Sequence, residues 1–173
     1  MKVIFLDFDG VINSHQSCTF WHNKRDQSKW ENEMYSSWQG TLFEYLAHEF
    51  CPIALSNVEE LFRRVPDLKI VVSSTWRLGN TVEDLQKILS GAPLVAAAVI
   101  DTTPAFRDGP RGNEIQDWLS RHPEVAEYAI IDDDSDMLES QQERFVHTSS
   151  LHGFQYGDML HTLRILKEGG NHG

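Results

Sequence analysis

The sequence predicts an α/β domain, built as a doubly wound parallel sheet with helices on both faces. Short apolar runs rich in β-branched residues recur along the chain, and they are nearly continuous rather than alternating with polar residues. Continuous hydrophobicity is typical of strands that are buried on both faces of a parallel sheet. Amphipathic stretches separate these runs, and the alternation of strand and helix predicts parallel strands covered by helices.

The predicted strands share an apolar core and end in small or polar residues. In chain order they are KVIFLD (2–7), LKIVVSS (68–74), VAAAVID (95–101), EYAIIDD (127–133) and, more weakly, RFVHTS (144–149). Ligands of a doubly wound sheet bind beyond the carboxyl ends of its strands. The residues that end these runs are therefore the candidate site.

The predicted helices place apolar residues three and four positions apart. They are SNVEELFRRV (56–65), NTVEDLQKIL (80–89), GNEIQDWLSRH (112–122) and GDMLHTLRILKE (157–168). The first begins with a capping-box pattern, Ser56 followed by Glu59. The predicted order is a strand, an insert and a helix, followed by strands and helices in alternation.

Residues 13–52 interrupt this alternation with a polar stretch that carries Trp21, Trp30 and Trp38. A strand-to-helix connection in such a fold is normally short. We therefore interpret the stretch as a small cap inserted into a single domain that spans residues 1–173. The tryptophans fit a small core inside the cap, and they also fit stacking on a substrate.

The composition limits the partners and the location. The formal net charge is −11, which argues against a broad electropositive surface for nucleic acid, although a local basic groove stays open. No apolar run approaches the roughly 20 residues that span a bilayer, and the chain starts without a basic leader, so we expect a cytoplasmic protein without membrane contact. Cys18 and Cys51 give no disulfide framework, and we expect plain thiols. The sequence does not indicate the oligomeric state.

Two carboxylates separated by one residue, Asp7 and Asp9, follow the first predicted strand. A carboxylate at the position of Asp7 can attack phosphorus and form an aspartyl-phosphate. Asp9 can give a proton to the leaving oxygen and later take one from the attacking water. Gly10 permits a tight turn of the backbone beside the ligand. This pair therefore predicts phosphoryl-transfer chemistry.

The clustered acids also predict a cation between them, because like charges at one strand end repel each other. Mg²⁺ prefers oxygen ligands. The carboxylate of Asp7, the backbone carbonyl of Asp9, and Asp132 or Asp133 from a later strand end supply such a set. We therefore expect Mg²⁺ as the cofactor.

A phosphoryl group needs donors on its outer oxygens. Ser73, Ser74 and Thr75 directly follow an apolar run, and a hydroxyl there can reach the phosphate. Arg111 opens a predicted helix, where its cation can complete the phosphate cradle. Arg77 and Arg107 are weaker candidates for this role.

These residues resemble the motifs of the haloacid dehalogenase (HAD) superfamily of phosphohydrolases. FLDFDGVI resembles its first motif, an acid pair and a glycine after a hydrophobic strand. IVVSST resembles the second motif, Arg111 stands where the third places a lysine or arginine, and YAIIDDDSDM resembles the acidic fourth. The resemblance covers residues 1 to about 150 and implies a Rossmann-like core.

The resemblance implies that Asp7 is the nucleophile and Asp9 the general acid and base. It also implies that Ser73 or Ser74 holds the phosphate. The stretch STW resembles a Thr-Thr-Trp stretch of family members associated with RNA repair, which favours Ser74. Counting from the apolar run allows Ser73, so both serines stay open.

The acidic motif leaves a second choice. An alignment of the form DxxxD selects Asp132 and Asp136, whereas counting from the strand end selects Asp133. We favour Asp133 as the direct Mg²⁺ ligand, with Asp132 close by.

The expected function is a Mg²⁺-dependent phosphomonoesterase that acts on a phosphorylated small molecule. A phosphatase for nucleic-acid ends, of the RNA or DNA repair type, is the alternative enzyme, suggested by STW and by the aromatic insert. A phosphate-binding regulatory module without turnover is the alternative outside enzymes. The presence of Asp9 speaks against that module, because a phosphate binder needs no acid or base.

Overall fold

The computed structural model describes residues 1–24 and 50–168, in which strands and helices alternate. The elements are β1 (Lys2–Leu6), α1 (His15–Lys24), α2 (Pro52–Arg64), β2 (Leu68–Val72), α3 (Val82–Ile88), α4 (Pro93–Ala98), β3 (Val99–Thr102), α5 (Arg111–Ser120), β4 (Glu127–Asp132), β5 (Phe145–His147) and α6 (Tyr156–Glu168). Two short 3₁₀ helices span Thr75–Arg77 and Glu139–Arg144.

The five strands form one parallel sheet in the order β3-β2-β1-β4-β5. The first strand is central, and its last residue, Leu6, pairs with Val72 of β2 and with Ile131 of β4. The carboxyl ends of these three strands therefore lie side by side. The predicted α/β fold with a parallel sheet is confirmed.

Both faces of the sheet are covered, as the continuous apolar runs predict. On β1, Ile4 and Leu6 join the larger core cluster, to which α2, α3, α4 and α6 contribute. Val3 and Phe5 point to the other face and join a smaller cluster with Trp118 of α5. All of these side chains are buried, so β1 forms the centre of the core.

Helix α2 begins earlier than predicted. The sequence places a capping box at Ser56, but the helix starts at Pro52 with Cys51 at the N-cap, and Ser56 lies inside the helix. Proline favours the first helical position because its φ is already helical and its missing N–H would have no partner there. The predicted cap at Ser56 is therefore wrong.

The third strand is shorter than predicted. Residues 95–98 of the predicted strand VAAAVID belong to α4, which runs over Pro93–Ala98, and β3 begins at Val99. Alanine is the strongest helix former, and Pro93 again occupies the start of the helix. The alanine run therefore completes a helix before the β-branched residues enter the sheet.

The two ends of the predicted insert lie next to each other. The amide of Cys51 donates a hydrogen bond to the carbonyl of Ile12 at 2.7 Å, which joins the two ends of the insert. Helix α1 lies within it and contains Trp21, whereas Trp30 and Trp38 lie outside the described residues. The single-domain organisation and the cap stay predictions. Among helices of the described residues, none is both long and apolar enough to cross a membrane.

Candidate active site

The predicted site residues meet at the carboxyl edge of the three central strands. The amide of Asp7 donates to the carbonyl of Ile131 at 3.0 Å, and the amide of Ser73 donates to the carbonyl of Leu6 at 3.1 Å. The sheet ladder thus continues one residue beyond β1 and β2. This continuation fixes the backbone from which Asp7 and the serines project.

Three carboxylates form a cluster at this edge: Asp7, Asp132 and Asp133. One oxygen from each lies within 4.8 Å of the others. Asp7 is 5% exposed and Asp132 is fully buried, while Asp133 is half-buried. Carboxylate oxygens are the ligands that a hard divalent cation prefers.

Burial strongly affects the charge of this cluster. Burial, followed by the negative charge of the neighbouring Asp7, raises the pKa of Asp132 to about 7. Burial also raises the pKa of Asp7, an effect that Arg111 and a hydrogen bond from the Ser74 side chain oppose. The pKa of Asp133 is raised as well, first by burial and then by Asp134. Three ionised acids are thus costly here without a positive partner.

Arg111, the first residue of α5, brings a positive charge to the cluster. Its Nε lies 3.1 Å from Oδ2 of Asp132, and its Nη1 lies 3.9 Å from Oδ1 of Asp7. These are ion-pair distances, but neither Nε nor Nη1 makes a hydrogen bond to a described residue. The guanidinium therefore keeps donors for another anion at this edge.

Asp136 holds the start of α5 rather than joining the acidic cluster. Its Oδ2 accepts a hydrogen bond from the amide of Arg111 at 2.8 Å, and its carbonyl accepts one from the amide of Gly112 at 3.2 Å. An acid at a helix N-terminus satisfies otherwise unpaired amides. Of the residues that the two interpretations of the acidic motif selected, Asp132 and Asp133 lie in the cluster and Asp136 does not.

Asp9 stands apart from the buried acids, and its side chain is exposed. Its Oδ1 accepts a hydrogen bond from Nδ2 of Asn13 at 3.1 Å. Its Oδ2 accepts one from the indole Nε1 of Trp76 at 2.8 Å. Both carboxylate oxygens are thus held in place at the mouth of the site.

Gly10 makes the tight turn that the sequence predicts after Asp9. Its φ is +68°, in the left-handed region that favours glycine. Its amide donates to the carbonyl of Asn13 at 2.8 Å, and its carbonyl accepts from the Thr148 hydroxyl at 3.1 Å. The turn carrying the acid pair is therefore anchored at both ends.

The three hydroxyl residues after β2 have different environments. The Ser74 side chain reaches Asp7, where its hydrogen bond lowers the pKa of that carboxyl. Ser73 and Ser74 are both fully buried, but the Oγ of Ser73 has no hydrogen-bond partner among the described residues. Thr75 is exposed and begins the 3₁₀ helix. Ser74 is thus the hydroxyl that contacts the predicted nucleophile.

Arg77, one of the weaker candidates, is occupied by the protein itself. Its guanidinium donates to the carbonyls of Ser73 and Ser74 at 2.8 and 2.7 Å, and to Glu114 at 2.6 Å. These bonds connect the segment that carries Ser73 and Ser74, here called the serine loop, to α5. Arg107, the other weaker candidate, is exposed in the loop before α5.

The comparison with known families agrees with the geometry of the site. The family described as the HAD domain in Swiss Army Knife RNA repair proteins has a sequence model that matches residues 3–159. The chain belongs to this HAD family. No curated protein and no solved structure matches the chain closely enough to show a relationship. Membership confirms the predicted resemblance, and it supports hydrolase chemistry of the phosphatase type in general.

The acids of this HAD domain fit a divalent cation. The fully buried Oδ2 of Asp132 lies at ion-pair distance from Nε of Arg111 but accepts no hydrogen bond from the described residues, although a carboxylate oxygen can accept two. It lies in the same cluster as Asp7 and Asp133. An oxygen that is buried and unsatisfied among other acids is suited to a positive ligand.

Two contacts of this HAD site were missed by the sequence reasoning: those of Asn13 and Trp76 with Asp9. Trp76 stands inside STW, a stretch that the resemblance had already singled out, and Asn13 directly follows the first motif, FLDFDGVI. Residue type offered the only signal, since an amide and an indole N–H are donors that suit a carboxylate.

Proposed function

We propose that this HAD domain is a Mg²⁺-dependent phosphomonoesterase that works through an aspartyl-phosphate on Asp7. The arrangement of two unlike carboxyl groups on one turn carries the proposal. Asp7 is buried beside Asp132 and Arg111, whereas Asp9 is exposed and held by neutral donors. Two carboxyl groups in different environments can take different chemical roles.

In the first step, an Asp7 carboxylate oxygen forms a bond to phosphorus as the bond from phosphorus to the leaving oxygen breaks. The electron pair of the broken bond stays on the leaving oxygen, which takes a proton from the Asp9 carboxyl group. In the second step, water attacks the same phosphorus while Asp9 takes its proton. Phosphate leaves, and the Asp7 carboxylate is regenerated.

The phosphoryl group needs donors on its other oxygens, and we assign this role to Ser74 and Arg111. Ser73 and Ser74 are both fully buried, and the contact between the Ser74 side chain and Asp7 supports Ser74 for this role. The buried Nε and Nη1 of Arg111, which lack hydrogen-bond partners among the described residues, support Arg111. Exposed Thr75 is the remaining hydroxyl at the mouth of the site.

The carboxylates of Asp7, Asp132 and Asp133, with the backbone carbonyl of Asp9, would hold Mg²⁺. The grouping of the three carboxylates and the unsatisfied Asp132 oxygen support this ligand set. When bound, the ion would offset the negative charge of the acids and of the phosphoryl group.

Phosphate release with Mg²⁺ from a panel of phosphorylated metabolites tests the proposal. We expect turnover by the wild-type protein and a loss of about a thousandfold or more in Asp7→Asn, because the amide is a poor nucleophile. Asp67→Asn is the matched control, since Asp67 is exposed and asparagine tolerates its φ of +57°. A wild-type protein that releases no phosphate from any ester contradicts the proposal.

The ester that the enzyme hydrolyses is either a small phosphorylated molecule or a nucleic-acid end. The matched family, described by its occurrence in RNA repair proteins, favours the end. The net charge of −11 favours the small molecule, because binding to a nucleic-acid backbone usually enlists lysine and arginine. Comparing 3′- and 5′-phosphorylated oligonucleotides with mononucleotides separates the two. Equal or better turnover of mononucleotides rejects the nucleic-acid end as substrate.

A further inference from the structure

We propose that Trp76 is a positioning residue for the proton transfer by Asp9. This inference rests on the proposed function and adds to it a residue to which neither the sequence motifs nor the family assigns a role. The indole Nε1 of Trp76 donates to Oδ2 of Asp9 at 2.8 Å, although the two residues are 67 positions apart in the chain.

Asp9 needs an external support because its side chain is exposed. An exposed side chain loses rotamer freedom when it is held in one orientation, and this loss opposes a fixed geometry. Asn13 donates to the other carboxylate oxygen at 3.1 Å, but it belongs to the same turn as Asp9, since its amide donates to the carbonyl of Phe8 and its carbonyl accepts from the amide of Gly10. Trp76, which lies just after β2, is therefore the donor that holds Asp9 from outside this turn.

Trp76 is well fixed for this purpose. Its ring lies 5.5 Å from the Phe8 ring and 5.5 Å from the Phe50 ring, between centroids. The Phe8 and Phe50 rings pack edge to face at 5.7 Å. Aromatic packing of this kind contributes beyond the apolar area that it buries. Phe8 is the residue between Asp7 and Asp9, so the same cluster fixes the indole and the turn that carries both acids.

The chemistry of the indole suits a positioning role. Its N–H is a donor only, so it can orient the carboxyl group of Asp9 without competing for the proton that the leaving oxygen takes. Oδ2 has a second lone pair for that proton. A small displacement of a catalytic group costs a large factor in rate, and the cost falls on the step that uses the group.

The test compares two phosphate esters that differ in the acidity of their leaving group. An ester with an acidic leaving group, such as p-nitrophenyl phosphate, needs little proton donation, whereas an alkyl phosphate depends on it. We expect Trp76→Phe to lower kcat/KM less than about threefold on p-nitrophenyl phosphate and about 30-fold on an alkyl phosphate. This ratio reports the first step alone, whereas kcat also includes the hydrolysis of the aspartyl-phosphate, in which Asp9 acts on both esters alike. In an Asp9→Asn background, the same substitution should change neither rate further, because the group that it orients is gone.

Two further variants separate orientation from packing. Trp118→Phe is the matched control, since its buried indole donates to a carboxylate of Asp101 at 2.7 Å, away from the site. We expect it to lower stability without changing the ratio of the two rates. Trp76→His places a ring N–H at the equivalent position of the five-membered ring but loses the larger surface. It should restore the alkyl phosphate rate relative to Trp76→Phe, and it serves equally if the phenylalanine variant does not fold.

Several outcomes would overturn the inference. An equal loss of kcat/KM on both esters in Trp76→Phe, no loss on either, or the same loss in the Asp9→Asn background means that Trp76 does not position Asp9. These results leave the proposed function standing. A wild-type protein inactive on every ester overturns both the proposed function and this inference.

Discussion

The carboxyl group of Asp133 occupies the space that a side chain on residue 10 would need. A Cβ built on Gly10 would lie 2.1 Å from Cγ of Asp133, far inside contact distance. The φ of +68° at Gly10 disfavours a side chain independently of that clash. The glycine of the first motif therefore admits the acid of the fourth motif into the cluster.

Gly10→Ala should weaken Mg²⁺ binding more than it lowers stability. The added methyl meets the end of a movable side chain, so Asp133 can swing out of the cluster. We expect about a tenfold weaker Mg²⁺ affinity, measured by calorimetric titration, since partners that orient a ligand have effects of this size. Gly79→Ala is the control, because Gly79 has a φ of +81° and open space around it. Both variants should lose about 1 kcal/mol of stability to backbone strain, and only the first should lose metal affinity.

Asp133 and Asp136 should respond differently to amidation. Asp133→Asn removes a carboxylate from the cluster and should weaken Mg²⁺ binding. Asp136→Asn leaves the cluster intact but weakens the bond to the amide of Arg111, so the free energy of unfolding should fall by about 1 kcal/mol or less. Titration of both variants with Mg²⁺ decides the matter, and a loss of affinity only in Asp136→Asn would reverse the assignment.

Asp132 should make the metal-free protein less stable as pH rises. Its pKa is raised from 3.8 to about 7 in the folded protein. The folded state therefore binds more protons than the unfolded state between these values, and the free energy of unfolding falls as pH rises through that window. Below the lower value the penalty is absent, and above pH 7 it is complete.

Urea unfolding of wild type and Asp132→Asn at about pH 5 and about pH 8 measures this effect. The variant should gain stability relative to wild type at the higher pH when Mg²⁺ is absent. Mg²⁺ should restore the stability of the wild-type protein at the higher pH and have little effect on the stability of the variant. A stability difference that stays constant with pH would contradict the assignment of the titration to Asp132.

The Arg77–Glu114 pair should be a major source of stability for the serine loop. The two side chains are 6% and 11% exposed, and Arg77 also donates to the carbonyls of Ser73 and Ser74. Arg77→Met leaves a buried carboxylate unpaired, which should cost about 3–5 kcal/mol in urea unfolding. Arg63→Met breaks ion pairs of a side chain that is 52% exposed and should cost less than about 1 kcal/mol. Similar losses in both variants would reject the structural role of Arg77.

The fold could be predicted because strands that are buried on both faces of a sheet appear in the sequence as continuous apolar runs. Val3 to Leu6 are all buried, since successive residues of a central strand enter opposite halves of the core. The alanine-rich stretch before Val99 was misread for the converse reason. A short apolar run fits a buried strand and a buried helix equally well, and periodicity does not separate them.

The site was predictable where backbone topology alone brings residues together. Asp7 and Ser74 follow β1 and β2, and Asp132 is the last residue of β4, so any parallel sheet in this order places them at one edge. The bonds of Trp76 and Asn13 to Asp9 depend instead on the directions of exposed and half-buried side chains. The position of Asp136 at the amide of Arg111 likewise depends on how α5 meets the loop after β4. Sequence spacing does not encode these directions.

The proposed reaction requires that Asp7 carries the phosphoryl group during turnover. The most direct measurement is mass spectrometry of the peptide that contains Asp7, after acid quenching of the enzyme during turnover of a phosphomonoester with Mg²⁺. We expect one added phosphoryl group on that peptide in the wild-type protein and none in Asp7→Asn. A protein that turns over the ester without any label on Asp7, or with the label on another residue, would contradict it.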